Sequence, residues 1–230
     1  MTALADPRAA APERGARTGG IRRTASVAGM VLAPWGFVVT NTAYLLSIRD
    51  GGSEDTSLET LALYAAHPTL ARVALLAGMI GCLLLVPAVL GVFRLAPASR
   101  LVVIGGALMI AGYVCYFAVL HASFYVLAMA ELGEPRSAYA AALDAAQGEP
   151  LTVWVFGLFV LGNLVGTALL AAGLLRSRAV PVWAALGILA WPPLHVIGLV
   201  FFGNEVPQVI GAVLQAIGFA GCAATLRRAG

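Results

Sequence analysis

His67, His121 and His195 are the histidines of this chain, and His121 and His195 fall inside long apolar runs. Imidazole in such a place could ligate zinc or haem, relay a proton, or hold a polar ligand. Three carboxamides, Asn41, Asn163 and Gln215, share that setting. So does the sequence Trp191-Pro192-Pro193-Leu194-His195, where two prolines interrupt a run from Pro181 to Phe202. Each proline lacks a backbone N–H, which withdraws the intrahelical partners of the Ile188 and Leu189 carbonyls. Backbone freed at membrane depth needs other partners, and an interrupted span is one pointer to a binding site. The alternative is a simple kink whose carbonyls are satisfied by neighbours. His195 likewise reads either as a ligand-facing group or as a satisfied core histidine.

The spacing limits the chemistry. The histidines lie on separate segments, so no H-x-x-x-H or H-x-x-E pair exists. Zinc would need Glu205 to join them, and a haem would need His121 and His195 face to face. No Gly-flanked Ser elbow marks a hydrolase. Asp and Glu are absent from the middle of every apolar run, which argues against a carboxylate proton relay or a cation-driven pump. The expectation is therefore no cofactor and no catalytic residue, with a haem- or zinc-dependent redox or metal enzyme as the alternative.

These groups must be held by membrane helices. Of 230 residues 60% are hydrophobic and 11% charged, against about 25% charged in soluble domains. The mean hydropathy is +0.91. Net charge +3 and a pI near 9.0 do not indicate nucleic acid, because the basic residues sit in small clusters between apolar runs. All 14 are Arg, which with the Ala and Gly load suggests a GC-rich bacterial genome. Residues 1–20 read as a disordered cytoplasmic tail, and 21–230 as a single domain. Arg22-Arg23 precede a run with no cleavage site after it, so a retained first helix is expected rather than an export signal.

Six runs, near 25–47, 69–93, 101–130, 151–175, 180–202 and 207–226, each approach the ~20 residues a span requires. The tails and the turns at 94–100 and 176–178 hold 11 Arg and two acids, while the other connections hold three Arg and nine acids. Positive-inside sorting then puts both termini in the cytoplasm of a bacterial inner (plasma) membrane. Thr56 and Glu59 have the spacing of a capping box, and Pro135, Gly148 and Pro150 bracket a second short segment. Two short outer-side helices are therefore expected. Gly162-x-x-x-Gly166 and the small residues at Ala212, Ala216 and Ala220 suit close helix packing. The fold class is all-α: a polytopic bundle of six transmembrane helices.

The segment Leu174-Leu175-Arg176-Ser177-Arg178-Ala179-Val180-Pro181-Val182-Trp183, with the six-span order and the long loop before span four, resembles an uncharacterised domain-of-unknown-function family of bacterial six-helix membrane proteins. The likeness covers most of 21–228. It implies the fold and brings no activity and no site residues.

By depth along their helices, about 20–30 Å from the cytoplasmic ends, Asn41, His121 and His195 gather near one level, with Asn163 and Gln215 reaching it from the other side. His67, Asn204, Glu205 and Gln208 are expected at or near the outer surface. The site expected is an outward-facing cavity lined by Asn41, His121, Asn163, Trp191, Pro192, Pro193, His195 and Gln215, in which His195 pairs with Asn163 or Asn41. Its function class is a non-catalytic protein binding a small-molecule or lipidic ligand, as carrier, sensor or accessory subunit. A purely structural partner of another membrane protein is the remaining alternative.

Overall fold

The protein, seen in a computed structural model, is described over residues 11–133, 136–198 and 205–229, with side chains from residue 19 onward. Among these residues it is an all-α membrane helix bundle. In order the helices are α1 (Ala11–Ile48), α2 (Ser57–Ala66), α3 (Pro68–Leu95), α4 (Arg100–Leu132), α5 (Arg136–Gln147), α6 (Pro150–Val160), a π-helical turn (Leu161–Gly166), α7 (Thr167–Ser177), α8 (Val182–Ile197) and α9 (Val206–Arg228). Five segments are long and apolar enough to cross a membrane: Gly19–Ile48, Pro68–Leu95, Arg100–Leu132, Pro150–Ser177 and Val206–Arg228. The chain is a multi-pass membrane protein. The apolar helix α8 is shorter, with 16 residues; residues 199–202 of that expected span lie outside the described residues, as do Asn204 and Pro135.

α1 starts at Ala11, so the stretch 11–20, expected to be unstructured, is helical; residues 1–10 are not described. The short helices form where their end signals stand. Thr56 accepts from the Glu59 backbone while the Glu59 carboxylate accepts from Thr56, a complete capping box ahead of α2. Pro68 and Pro150 take the first turns of α3 and α6, where a missing N–H costs nothing. α2 and α5 meet through Ser57 Oγ, which donates to Asp144 Oδ1 at 2.6 Å. Arg72 of α3 pairs with Glu131 of α4 at the same end.

At the opposite end Arg23 donates to the carbonyls of Leu226 and Arg227, tying α1 to the last turn of α9. α1 thus packs between α3 and α9, and α8 lies along α9. The central core joins Met30, Leu85, Val92, Met109, Leu170, Ile188 and Phe219. Outward faces stay apolar: Leu76, Ile80 and Leu83 of α3 lie on one exposed stripe, as lipid contact requires. Small residues set the closest approaches. A Cβ on Gly36 would stand 2.5 Å from the Ala77 carbonyl oxygen, so α1 and α3 touch backbone to backbone.

Candidate functional site

The main irregularity of the bundle lies in the fourth apolar segment. Between α6 and α7, six residues, Leu161 to Gly166, wind as a π turn. A π turn carries more residues per turn than the α-helix around it, and so re-aims the side chains it holds. Its two glycines meet α4: a Cβ on Gly162 would lie 2.3 Å from the Leu108 carbonyl oxygen, and one on Gly166 2.8 Å from the Met109 nitrogen. The G-x-x-x-G therefore packs inside the bundle. Asn163, between those glycines, is buried.

The Asn163 carboxamide oxygen accepts twice. Tyr113 OH of α4 donates to it at 2.7 Å, and Trp191 Nε1 of α8 at 2.8 Å. Both lone pairs of Oδ1 are thereby filled, and three helices are held by one atom. Around this node lies a cavity of about 40 Å³, lined by Phe37, Thr40 and Asn41 of α1, Tyr113 and Tyr116 of α4, Phe159, Asn163, Trp191 and His195. Its walls are mostly rings. Tyr116 and Phe159 stack at 4.2 Å between centroids, Phe37 meets Tyr113 at 4.7 Å, and Trp191 meets His195 at 4.9 Å. Among the described residues no Asp, Glu, Lys or Arg lines it.

Of the eight expected site residues the cavity collects Asn41, Asn163, Trp191 and His195. The expected bridges are made differently. Asn163 binds Tyr113 and Trp191 rather than His195, and Asn41 Nδ2 donates to the Phe37 carbonyl of its own helix at 2.7 Å. His195 lies beside Gln208 of α9, and its Nδ1 has no hydrogen-bond partner among the described residues.

The other four lie elsewhere. His121 is exposed on α4, edge-on to Tyr125 at 5.5 Å, because its helix face turns away from the bundle. Gln215 is fully buried on α9 but does not reach the cavity, and its Nε2 has no partner. Pro192 is buried and Pro193 exposed; neither lines the cavity, and α8 runs through both without a break. Glu205 and Gln208, expected at or near the outer surface, stand at the N-terminal end of α9 and are 8% and 4% exposed.

Sequence reasoning missed Phe37, Thr40, Tyr113, Tyr116 and Phe159. The available signal was the pair of phenols three residues apart on α4, where a buried hydroxyl seeks a partner. Thr40 Oγ1 spends its hydrogen bonding on the Gly36 and Ala74 carbonyls, at 3.0 and 2.9 Å.

A second polar group sits at the α2/α5 end. Glu54 stands near Glu205 and Tyr44 of α1. Poor solvation first, then the charge of Glu205, pushes the Glu54 carboxyl up to about 7. Burial raises Glu205 as well, and raises the Tyr64 phenol of α2. His67 lines an open depression of about 440 Å³ with Asp50, Ser53 and Glu59. Among the described residues no three His, Cys, Asp or Glu side chains converge as metal ligands would. Cys82 and Cys222 are buried and Cys115 half-buried, all as free thiols.

A cavity of this size does not admit a lipid chain, since common ligand clefts occupy about 300–1,000 Å³. In comparison with known proteins, no family model, no curated protein and no solved structure matches this chain.

Proposed function

We propose that this is a non-catalytic protein of the bacterial inner membrane, with six spans and both termini in the cytoplasm, that binds a small ligand in the Asn163-centred cavity. Carrier, sensor and accessory subunit of another membrane protein are the roles open to it. The observation that carries the reading is the cavity itself. α1, α4, the π turn and α8 bring ordered rings, two carboxamides and an imidazole to one small space in an otherwise apolar bundle. Polar groups at such depth are costly, and their concentration at one place is the usual mark of a functional site.

The topology follows the Arg distribution, and the Arg23 contact with the end of α9 supports it by bringing both termini to one face. In this reading the run 180–202 is the fifth span, α2 and α5 lie outside, and the likeness of the Leu174–Trp183 segment to the six-helix family supports that order. The rival reading, a haem or zinc enzyme, relies on His121 and His195 acting together. One is exposed on α4 and the other faces the cavity, so it gains no support.

Two measurements test the proposal. Cysteines introduced at Ser53 or Ser137 react with an impermeant reagent applied outside, and those at Ser99 or Ser177 do not; the reverse pattern overturns the topology. Mass spectrometry of gently purified protein finds a small molecule that is depleted in His195→Ala. A Soret band or stoichiometric zinc lost in that variant overturns the non-catalytic reading.

A further inference from the structure

A second site lies at the end of the bundle opposite α2 and α5, away from the Asn163 cavity. We propose that it holds the phosphate of one anionic phospholipid between Arg100 and Arg176. The two residues come from different turns. Arg100 opens α4, and Arg176 stands in the last turn of α7. Close packing brings these turns together: a Cβ on Gly173 would lie 2.7 Å from the Val102 nitrogen, so α7 rests on the first turn of α4. Between them is a depression of about 570 Å³, lined by residues 95–101 on one side and by Arg176, Ser177 and Ala179 on the other. That volume lies within the range of ligand clefts, about 300–1,000 Å³.

The charge there is one-sided. Among the described residues no Asp or Glu lines the depression, and neither Arg100 nor Arg176 forms an ion pair. Arg94 and Arg178 adjoin lining residues in sequence. Guanidinium groups meet phosphate oxygens with paired donors. The start of α4 adds to them, because the N–H groups of Arg100 and Leu101 have no partner within the helix. Ser99 Oγ accepts from the Val102 N–H at 3.4 Å and keeps its own O–H to donate. Acceptors are present too, since α3 and α7 end here. Three of their carbonyls are occupied: Ala96 accepts from the Ser99 N–H, Leu174 from the Ser177 hydroxyl and Leu175 from the Arg178 N–H. Two whole positive charges and one helix N-terminus outweigh two helix C-termini, each worth about half a charge. A zwitterionic headgroup would bring an ammonium that meets no carboxylate.

Position selects a lipid over a free phosphate. The depression lies where the apolar segments Pro68–Leu95, Arg100–Leu132 and Pro150–Ser177 begin or end, at the boundary of the bundle. Val103 and Ile104, three and four residues after Arg100, are exposed on α4, and Val182 and Trp183 are exposed at the start of α8. Side chains three and four apart share a helix face. Acyl chains that hang from a phosphate at Arg100 therefore meet Val103 and Ile104. An inorganic ion gains nothing from that surface.

The test is native mass spectrometry of the full-length protein in detergent, titrated with phosphatidylglycerol or with phosphatidylethanolamine of the same acyl chains. One phosphatidylglycerol is expected to be retained in preference. Arg100→Gln and Arg176→Gln each weaken its retention by about fivefold, the gain expected of one basic residue beside anionic lipid. Ala98→Glu, which places a carboxylate at an exposed lining position and keeps both arginines, weakens it as well. Arg228→Gln, which removes the same charge from the exposed end of α9, leaves it unchanged. Equal retention of the two lipids overturns the proposal. So does an equal loss in Arg228→Gln, which would assign the binding to surface charge at large. Displacement of the lipid by inorganic phosphate at matched concentration overturns the lipid in favour of a free-phosphate site.

Discussion

Two of the stretches that depart from regular helix chemistry behave in opposite ways. Pro192-Pro193 removes two backbone donors in succession, yet α8 continues from Val182 to Ile197. Leu161–Gly166 contains no proline, yet it leaves α geometry for six residues. The prolines sit at the edge of the site, one buried and one exposed, and hold no partner for the cavity. The π turn holds the residue on which three helices converge. The difference shows that a missing hydrogen bond is a local matter that neighbouring turns absorb. A change in residues per turn alters where every side chain of that turn points.

Replacing Asn163 by Leu strikes the π turn hardest. Tyr113 OH and Trp191 Nε1 lose their shared acceptor in a buried place, at about 1–3 kcal/mol for each stranded donor. The expected loss is about 2–4 kcal/mol, read from thermal unfolding in detergent. Tyr113→Phe removes one donor together with its need, and should cost under about 1 kcal/mol, in keeping with the modest hydrogen bonds measured inside membranes. Equal costs for the two variants would break the picture of Asn163 as the node.

Pro193→Ala sharpens the other half. It returns an N–H toward the Leu189 carbonyl on an exposed helix face. Proline costs a helix interior up to about 3 kcal/mol relative to alanine, so stability should hold or rise. A loss above about 1 kcal/mol would show that the proline pair, like the π turn, maintains a required geometry.

The smallest effect belongs to the α2/α5 end, outside both stretches. Glu54 titrates at about 7 in the folded protein, against 4.5 for a free glutamate. Between those values the folded state binds more protons than the unfolded state, so stability contributed by this group is full below 4.5 and lost as pH rises through 7. Glu54→Gln should flatten the fall of the unfolding midpoint over that window. A slope retained in full would assign it to other groups.

The helices were legible because composition, run length and end signals act locally. The capping box at Thr56 and Glu59 and the prolines at 68 and 150 mark boundaries that the bundle keeps. Half of the candidate site was legible for a similar reason: Asn41, Asn163, Trp191 and His195 stand out in type against apolar surroundings. Depth along a helix, however, does not fix direction around it. His121 and Gln215, expected near the level of the other polar groups, do not line the cavity. The wall of Phe37, Tyr116 and Phe159 was hidden because aromatic residues in membrane helices face lipid as readily as core. The π turn has no single-residue signature, since glycines four apart also mark ordinary helix packing. The proline pair, by contrast, is conspicuous in sequence and has little to do with how the cavity is lined.

The Arg23 contact also bears on how the protein is made. α1 lies against α9 as well as α3, with Val38 packed on Ala212 and Ala216. Of these helices α9 is the last to leave the ribosome, on the order of 10–30 s after α1 at about 5–20 residues per second. Through that interval the first helix presents one side to lipid or to the insertion machinery, and Arg23 has no carbonyls of α9 to bind. A stop codon anywhere before Val206 therefore deprives the oldest helix of its neighbour along with removing the youngest.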